Sequence, residues 1–162
     1  MSAPSPKPAA IAVSDALPPF TLNVTSTVIV AGAIASRDFM PAHHDAAYAK
    51  AQGAPDLFMN ILTTNGYVAR FVTDWAGPEA KLESIRIRLG APAVPGKPLH
   101  FTGEVASKTE TDGELRLEIR VRAANDLGDN ATGTVALTLP RNAAMRSASA
   151  NAAEEQPWRT RS

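Results

Sequence analysis

The sequence contains no cysteine, no excess of either charge and no long apolar run. Its 162 residues include 16 Lys and Arg against 16 Asp and Glu, so the formal net charge at pH 7 is zero. The absence of cysteine excludes disulfides, thiolate nucleophiles and cysteine-ligated metals. A nucleic-acid binder normally carries a basic excess, and a membrane span needs roughly 20 apolar residues. We therefore expect a cytoplasmic protein with neither a nucleic-acid nor a membrane partner.

Length and composition indicate one folded domain between two tails. A chain of 162 residues with 44% hydrophobic content can bury one core and is too short for two. Residues 1–19 are rich in proline, alanine and serine, which favours a flexible leader. Residues 141–162 are similarly small and polar, which favours a disordered tail. We therefore assign the folded domain to residues 20–140.

The first half of this domain predicts a strand followed by two helices. Residues 22–35 are β-branched and apolar, which indicates a strand. Asp45 precedes an alanine-rich segment and is placed to cap a short helix. From Asp56 onward, apolar residues recur with helical spacing. This spacing predicts a core helix of about 18 residues, with Asp56 as its N-cap and Gly77-Pro78 as its end.

The second half alternates between apolar and polar residues, as strands with one buried face do. The alternating segments are residues 85–89, 101–105, 115–121 and 135–139, and the composition of residues 109–113 predicts a hairpin turn. An antiparallel sheet with one dry face, wrapped around a single long helix, buries all these rows at once. The opposite face carries arginines that could meet phosphates or a partner, although a solvated outer face explains them more simply. They are Arg86, Arg88, Arg116, Arg120 and Arg122.

Asp38 and His43 lie five residues apart, between the predicted strand and the helix that Asp45 caps. Pro41 has a fixed φ and no N–H donor, which suits the start of a helical turn and can hold both side chains toward one point. A water held between a carboxylate and an imidazole can be deprotonated by one group while the other supplies a proton. Such help is worth about 10²- to 10⁴-fold in rate. Asp and His near a helix start are often only caps and surface polar groups, and the spacing alone favours that interpretation.

The frame around the pair, D-x-x-P-x-H-x-D followed by AYA and a glycine, resembles the hydratase motif of the MaoC-like (R)-specific enoyl-CoA hydratases. The segments HHD, AQG, NILT, VTDWAGP, SIxxRLG and NDLGDNATGTVALTL are similar, more narrowly, to the smaller subunit of the two-subunit MaoC-like hydratases of bacterial steroid side-chain degradation. This likeness spans roughly residues 22–139. It implies an α+β hot-dog fold, in which an antiparallel sheet wraps around a long central helix. It also implies an enzyme that adds water across the double bond of an α,β-unsaturated acyl-CoA.

The resemblance assigns roles to particular residues. It implies that Asp38 and His43 are the catalytic pair that binds and activates the water. It implies that Asn60, through its backbone N–H, and the neighbouring Ile61 form the oxyanion and substrate-lining part of the site. No metal is implied, and no cofactor, because coenzyme A is part of the substrate.

Two departures from the broader family bear on the partner. Met40 stands where most members have asparagine, and Met59-Asn60 stands where most have His-Gly. The steroid subgroup departs at similar places and couples its active subunit with a degenerate hot-dog chain. A short sheet also leaves an unpaired edge that association would cover. The expected partners are an acyl-CoA thioester and a second hot-dog subunit, in a heterodimer, a heterotetramer or a homodimer.

Three alternatives stay open. The chain could be a general (R)-specific fatty enoyl-CoA hydratase. It could be a hot-dog acyl-CoA thioesterase that uses a carboxylate and water on the thioester carbonyl, although the histidine fits addition to an alkene better. It could also be a non-catalytic partner subunit in which Asp38 and His43 are structural relics.

Overall fold

The computed structural model describes residues 10–111 and 113–140. These residues form a five-stranded antiparallel sheet, a 3₁₀ turn and three α-helices. The strands are β1 (Phe20–Leu22), β2 (Lys81–Leu89), β3 (Leu99–Thr111), β4 (Glu114–Asn125) and β5 (Gly128–Pro140). The helices are α1 (Ser26–Ala35), α2 (Ala46–Ala51) and α3 (Ile61–Ala76), with the 3₁₀ turn at Pro41–His43. The strand order across the sheet is β1-β3-β4-β5-β2.

The core lies between α3 and one face of the sheet, as the alternation predicts. Strand β4 buries every second side chain, while the arginines between them are exposed. Helix α3 presents Val68, Phe71 and Val72 to this dry face, and the ring centroids of Phe71 and Phe101 are 6.0 Å apart. Each large apolar side chain buried in this way contributes roughly 1.5–3 kcal/mol. The prediction of a sheet with one dry face around a single long helix is confirmed.

The outer face of the sheet is solvated, and its arginines Arg116, Arg120 and Arg122 pair with carboxylates. Arg116 Nη2 lies 2.8 Å from Glu83 Oε2, and Arg120 pairs with Glu104. The predicted hairpin is also present, since Thr111 pairs with Glu114 across it; Asp112 lies outside the described residues. Among the described residues, no helix is both long enough and apolar enough to cross a membrane.

The predicted strand over residues 22–35 is wrong for most of its length. The pairing of β1 with β3 ends at Leu22, and Ser26–Ala35 form α1. Thr25 Oγ1 accepts a hydrogen bond of 3.1 Å from the Val28 N–H and thereby caps this helix. The buried residues of α1 are Ile29 and Ala33, one turn apart. The run is apolar on all sides, so its composition hides the helical period.

The start of the core helix differs from the prediction, whereas its end is as predicted. Asn60 is the N-cap of α3, because its Oδ1 accepts a 2.9 Å hydrogen bond from the Thr63 N–H. Asp56 Oδ1 instead accepts from the Leu57 N–H at 2.8 Å, four residues earlier in the connecting segment. The helix has 16 residues and stops at Gly77, whose φ of 88° favours glycine. The segment before Asn60 fits the helical spacing because it also contributes buried apolar residues.

Residues 10–19, which the sequence placed in a flexible leader, pack against β3 in the structure. The Ser14 N–H donates to the Val105 carbonyl at 2.8 Å, and the Leu17 N–H donates to the Gly103 carbonyl at 2.9 Å. Ile11 and Leu17 are buried members of the core. The leader prediction for residues 1–9 and the tail prediction for residues 141–162 fall outside the described residues.

Two glycines provide a matched test of this packing. A Cβ at Gly133 in β5 would lie 2.0 Å from the Arg86 carbonyl oxygen on β2, whereas a Cβ at Gly66 in α3 would enter open space. We expect Gly133→Ala to lower the free energy of unfolding by about 1–3 kcal/mol, because the strands must separate. Gly66→Ala should raise it by about 0.5–1 kcal/mol, because alanine favours helix. Urea titration measures both, and two changes of the same sign would contradict this packing.

Candidate active site

The predicted acid/base pair converges on one point at the end of α1. The Asp38 N–H donates to the Ala33 carbonyl at 2.9 Å. Arg37 reverses the chain with a φ of 57°, in the left-handed region that few non-glycine residues adopt. Pro41 then opens the 3₁₀ turn that ends at His43. As a result, Asp38 Oδ2 lies 3.4 Å from His43 Nε2.

A hydrogen bond at the other ring nitrogen, Nδ1, fixes the tautomer of the His43 imidazole. His43 Nδ1 lies 2.7 Å from the Phe58 carbonyl oxygen. A carbonyl oxygen can only accept, so Nδ1 carries a hydrogen and donates it. In the neutral ring, Nε2 therefore presents a lone pair toward the Asp38 carboxylate. The buried imidazole also packs edge-on against the Phe58 ring, with centroids 5.1 Å apart. When the imidazole is neutral, His43 Nε2 and the Asp38 carboxylate thus offer two neighbouring acceptors to one donor molecule.

Asn60 holds the carboxylate from the opposite side. Its Nδ2 donates to Asp38 Oδ2 at 2.9 Å and to Ser36 Oγ at 2.8 Å. This hydrogen bond from Asn60 is the largest influence on the pKa of Asp38 and places it below its ordinary value. Partial burial opposes the effect, while the Met40 N–H and the charge of His43 add to it. The carboxylate therefore stays ionised to lower pH than an unperturbed aspartate would.

The sequence missed these side-chain roles of Ser36 and Asn60. It assigned Asn60 by its backbone N–H alone. In the structure the Asn60 side chain is buried and turned toward Asp38 and Ser36. An asparagine directly before a periodic apolar run is a helix N-cap signal, and it could have been preferred over Asp56.

Both residues predicted to form the oxyanion part line the same cavity as the pair. Asn60 and Ile61 stand at the N-terminus of α3, where backbone N–H groups have no partner within the helix. Within residues 10–111 and 113–140, neither backbone N–H finds an acceptor. Their role in binding an oxyanion stays a prediction.

The cavity has a volume of about 640 Å³. Apart from Asp38 and His43, the described residues along its wall are not titratable, and many are small. The small lining residues are Ala42, Gly53, Ala54, Gly90 and Ala91. In the described part of the chain, no group of three or more His, Asp or Glu side chains could hold a metal ion. The wall is thus adapted to an apolar ligand, with one polar pair at which chemistry can occur.

Asn130 ties one wall of this cavity in place, a role that the sequence did not predict. Its Nδ2 donates to the Ala91 carbonyl at 2.8 Å, and the Gly90 N–H donates to its backbone carbonyl at 2.9 Å. Asp45, next to the pair, caps α2 as predicted by accepting from the Ala47 N–H at 2.9 Å. His44 is exposed and does not line the cavity.

The chain is similar to known proteins in both sequence and fold. The sequence profile of the MaoC like domain matches residues 15–126. The 3-oxo-4,17-pregnadiene-20-carboxyl-CoA hydratase beta subunit of Mycobacterium tuberculosis is 45% identical over 127 residues, which make up 78% of this chain and 95% of that protein.

Two solved structures are similar to this chain in fold. The crystal structure of the ChsH1-ChsH2 complex from Mycobacterium tuberculosis matches with a TM-score of 0.74 and 44% identity, over 79% of this chain and 98% of that one. The unliganded R-hydratase PhaJ1 from Pseudomonas aeruginosa matches with a TM-score of 0.73 over 84% of this chain and 86% of that one. At 22% identity, PhaJ1 supports the fold alone.

A long helix against an antiparallel sheet, with an Asp–His pair on the wall of an apolar cavity, defines a hot-dog protein of the hydratase type. The chain belongs to the MaoC-like domain family. The predicted hot-dog fold, the predicted family and the likeness to the steroid side-chain subgroup are confirmed.

The hydrogen bond from His43 to Phe58 predicts a single tautomer. We expect the neutral His43 ring to carry its hydrogen on Nδ1, because the Phe58 carbonyl accepts it. Nitrogen-15 NMR should show a pyrrole-type shift for Nδ1 and a pyridine-type shift for Nε2. The exposed His44 is the internal control and should show an average of both tautomers. A pyrrole-type Nε2 in His43 would contradict the arrangement of the pair.

Proposed function

We propose that this chain is the catalytic subunit of an enoyl-CoA hydratase, a hydro-lyase that adds water to an α,β-unsaturated acyl-CoA. The single observation that carries the proposal is the meeting of Asp38 Oδ2 and His43 Nε2, 3.4 Å apart, in one cavity. Two acceptors at this separation suit a water, which has two hydrogens to donate. The relationship to a protein named as a hydratase supports the same conclusion.

The reaction follows from these two acceptors. A water that donates to Asp38 and His43 gains nucleophilic character as they draw its protons. Its oxygen forms a bond to the β-carbon of the substrate, and one of its protons passes to the pair. The α-carbon then takes a proton from the pair, which returns to its starting state. The net change is the addition of one OH and one H across the double bond, so we expect no metal or redox cofactor.

The thioester carbonyl has to carry the negative charge that develops during this addition. We place its oxygen at the backbone N–H groups of Asn60 and Ile61. Both have free donors at the N-terminus of a 16-residue helix, whose dipole also favours negative charge there. The side chain of Asn60 points away toward Asp38, so it leaves this approach open.

A steroid side-chain acyl group is the substrate that we infer. The relative of 45% identity is named for a pregnadiene carboxyl-CoA, and the small residues along the cavity wall leave room for a bulky ring system. We also infer that the chain acts in the cytoplasm.

The partner that we infer is a second, different hot-dog subunit. Five exposed apolar side chains belong to α1, to the start of α3 and to the connection that carries Asp38. They are Ile34 (60%), Phe39 (65%), Met40 (50%), Ile61 (47%) and Leu62 (52%). Exposed apolar residues gathered in one region mark a surface that a partner covers. The related solved structure is a complex of two chains, ChsH1 and ChsH2, and this favours a heteromer over a homodimer.

Substitution of the carboxylate tests the catalytic assignment. We expect Asp38→Asn to lower the rate of hydration by about 10²- to 10⁴-fold, since the amide cannot take a proton from water. The assay follows the loss of enoyl-CoA absorbance, with the chain alone and co-expressed with its hot-dog partner. Asp45→Asn is the matched control, because asparagine also caps a helix and Asp45 is outside the cavity.

The outcomes separate the candidate functions. Hydration that requires Asp38 and prefers a steroid-type over a straight-chain enoyl-CoA supports the proposal, and the reverse preference indicates a general fatty enoyl-CoA hydratase. Hydration that persists in the Asp38→Asn complex would make this chain a scaffold for a catalytic partner.

A further inference from the structure

We propose that Asn60, held in place by Ser36, is a positioning residue that orients the Asp38 carboxylate toward His43. This inference rests on the proposed function and adds to it a chain of hydrogen bonds from Ser36 through Asn60 to Asp38. It gives Asn60 a side-chain role in addition to that of its backbone N–H, and it brings in a residue, Ser36, that does not touch the reacting groups.

The chain of hydrogen bonds begins at Ser36, at the end of α1. Ser36 Oγ donates to the Gly32 carbonyl at 2.7 Å, with the Ala33 carbonyl at 3.2 Å as a second acceptor. A hydroxyl has a single hydrogen, so the donor capacity of Ser36 is committed to the helix. Only its lone pairs remain for Asn60, whose Nδ2 donates to Ser36 Oγ at 2.8 Å. The direction of this hydrogen bond is therefore fixed.

Both amide hydrogens and the side-chain oxygen of Asn60 then have hydrogen-bond partners. One hydrogen of Nδ2 goes to Ser36, the other goes to Asp38 Oδ2, and Oδ1 accepts from the Thr63 N–H. A flipped amide would point its oxygen at a carboxylate oxygen and at a committed hydroxyl, and its NH₂ at a backbone N–H. All three contacts would be repulsive, so the surroundings allow one orientation of the amide. Asn60 is only 3% exposed, so water cannot replace its partners.

Asp38 has no comparable second support. Its Oδ1 accepts from the Met40 N–H at 3.4 Å, which is long for a hydrogen bond. The side chain of Met40 offers no donor. The Asp38 side chain is 29% exposed, so water could draw the carboxylate away from His43. The 2.9 Å bond from Asn60 holds Oδ2 on the side of the imidazole.

Apart from the hydrogen bond from Asn60, few polar or charged groups act on Asp38. From the 3₁₀ turn, His43 faces it, and from α3 the neutral Asn60 does. The remaining described residues of the cavity wall are not titratable, and Arg37, next in the chain, makes no ion pair with Asp38. A change at Asn60 should thus appear directly in the titration of Asp38. Loss of the amide donor raises the Asp38 pKa, so the carboxylate is protonated at a higher pH.

The test compares Asn60→Ser and Asn60→Asp in the assembled complex. Both replacements can cap α3, but serine is too short to reach Asp38, and aspartate brings a like charge and no donor. Carbon-13 NMR of the Asp38 carboxyl and kcat of the complex are the two readouts. We expect the Asp38 titration to move to higher pH in both variants, and further in Asn60→Asp. We expect kcat of Asn60→Ser to fall about 10- to 100-fold, as loss of a hydrogen bond to a charged group implies.

Three controls isolate the positioning role. Ser36→Ala should shift the Asp38 titration less than Asn60→Ser but in the same direction, and Ser36→Thr should restore it. Asn130→Ser removes another buried asparagine of the same cavity and should leave the titration unchanged. If Asn60→Ser unfolds more easily but leaves the Asp38 titration fixed, Asn60 is only a cap and the inference is overturned. Because the NMR titration needs no turnover, it judges the inference even if the native complex hydrates no enoyl-CoA.

Discussion

The carboxamide of Asn60 joins three parts of the chain that are far apart in sequence or in role. It bonds to the last turn of α1 through Ser36, to the first turn of α3 through the Thr63 N–H, and to the carboxylate of Asp38. An unmade hydrogen bond at so buried a group costs roughly 1–3 kcal/mol, so the three parts are held in one arrangement. The same side chain that starts the core helix therefore also places the carboxylate on which the chemistry depends.

The sheet and core supply the rigid base for this arrangement. Helix α3 is fixed along its length by the dry face of the sheet, so its N-terminus cannot move independently of the cavity. The Phe58 carbonyl, two residues before Asn60, receives the His43 hydrogen, and Asn130 on β5 ties the opposite wall through Ala91. The acid/base pair is thus held by the Phe58 carbonyl and the buried Asn60 amide, while Asn130 holds only a wall of the cavity. Such a base suits a reaction in which two protons must move over short, fixed distances.

The sequence predicted the features that depend on local pattern and missed those that depend on contacts across the chain. Alternation revealed the dry face because each strand repeats it over many residues, and Asp45 was recognisable as a cap from its immediate neighbours. Helix α1 was taken for a strand because its apolar residues surround it, which hides the 3.6-residue period. Residues 10–19 were assigned to the leader because two buried side chains, Ile11 and Leu17, give no pattern in a proline-rich segment. The pair Asp38–His43 was predicted from its motif, but Ser36 and Asn130 act through partners 24 and 39 residues away, which no local pattern reveals.

The most direct test of the chemistry traces the oxygen of water. The assembled complex would be given a steroid-type enoyl-CoA in ¹⁸O-labelled water, and the products would be analysed by mass spectrometry. Water addition at the Asp38–His43 pair predicts one labelled oxygen in a hydroxyl group on the β-carbon, with the thioester intact. The Asp38→Asn complex should form this product about 10²- to 10⁴-fold more slowly. Label in a free carboxylate, with release of coenzyme A, would contradict this and identify a thioesterase.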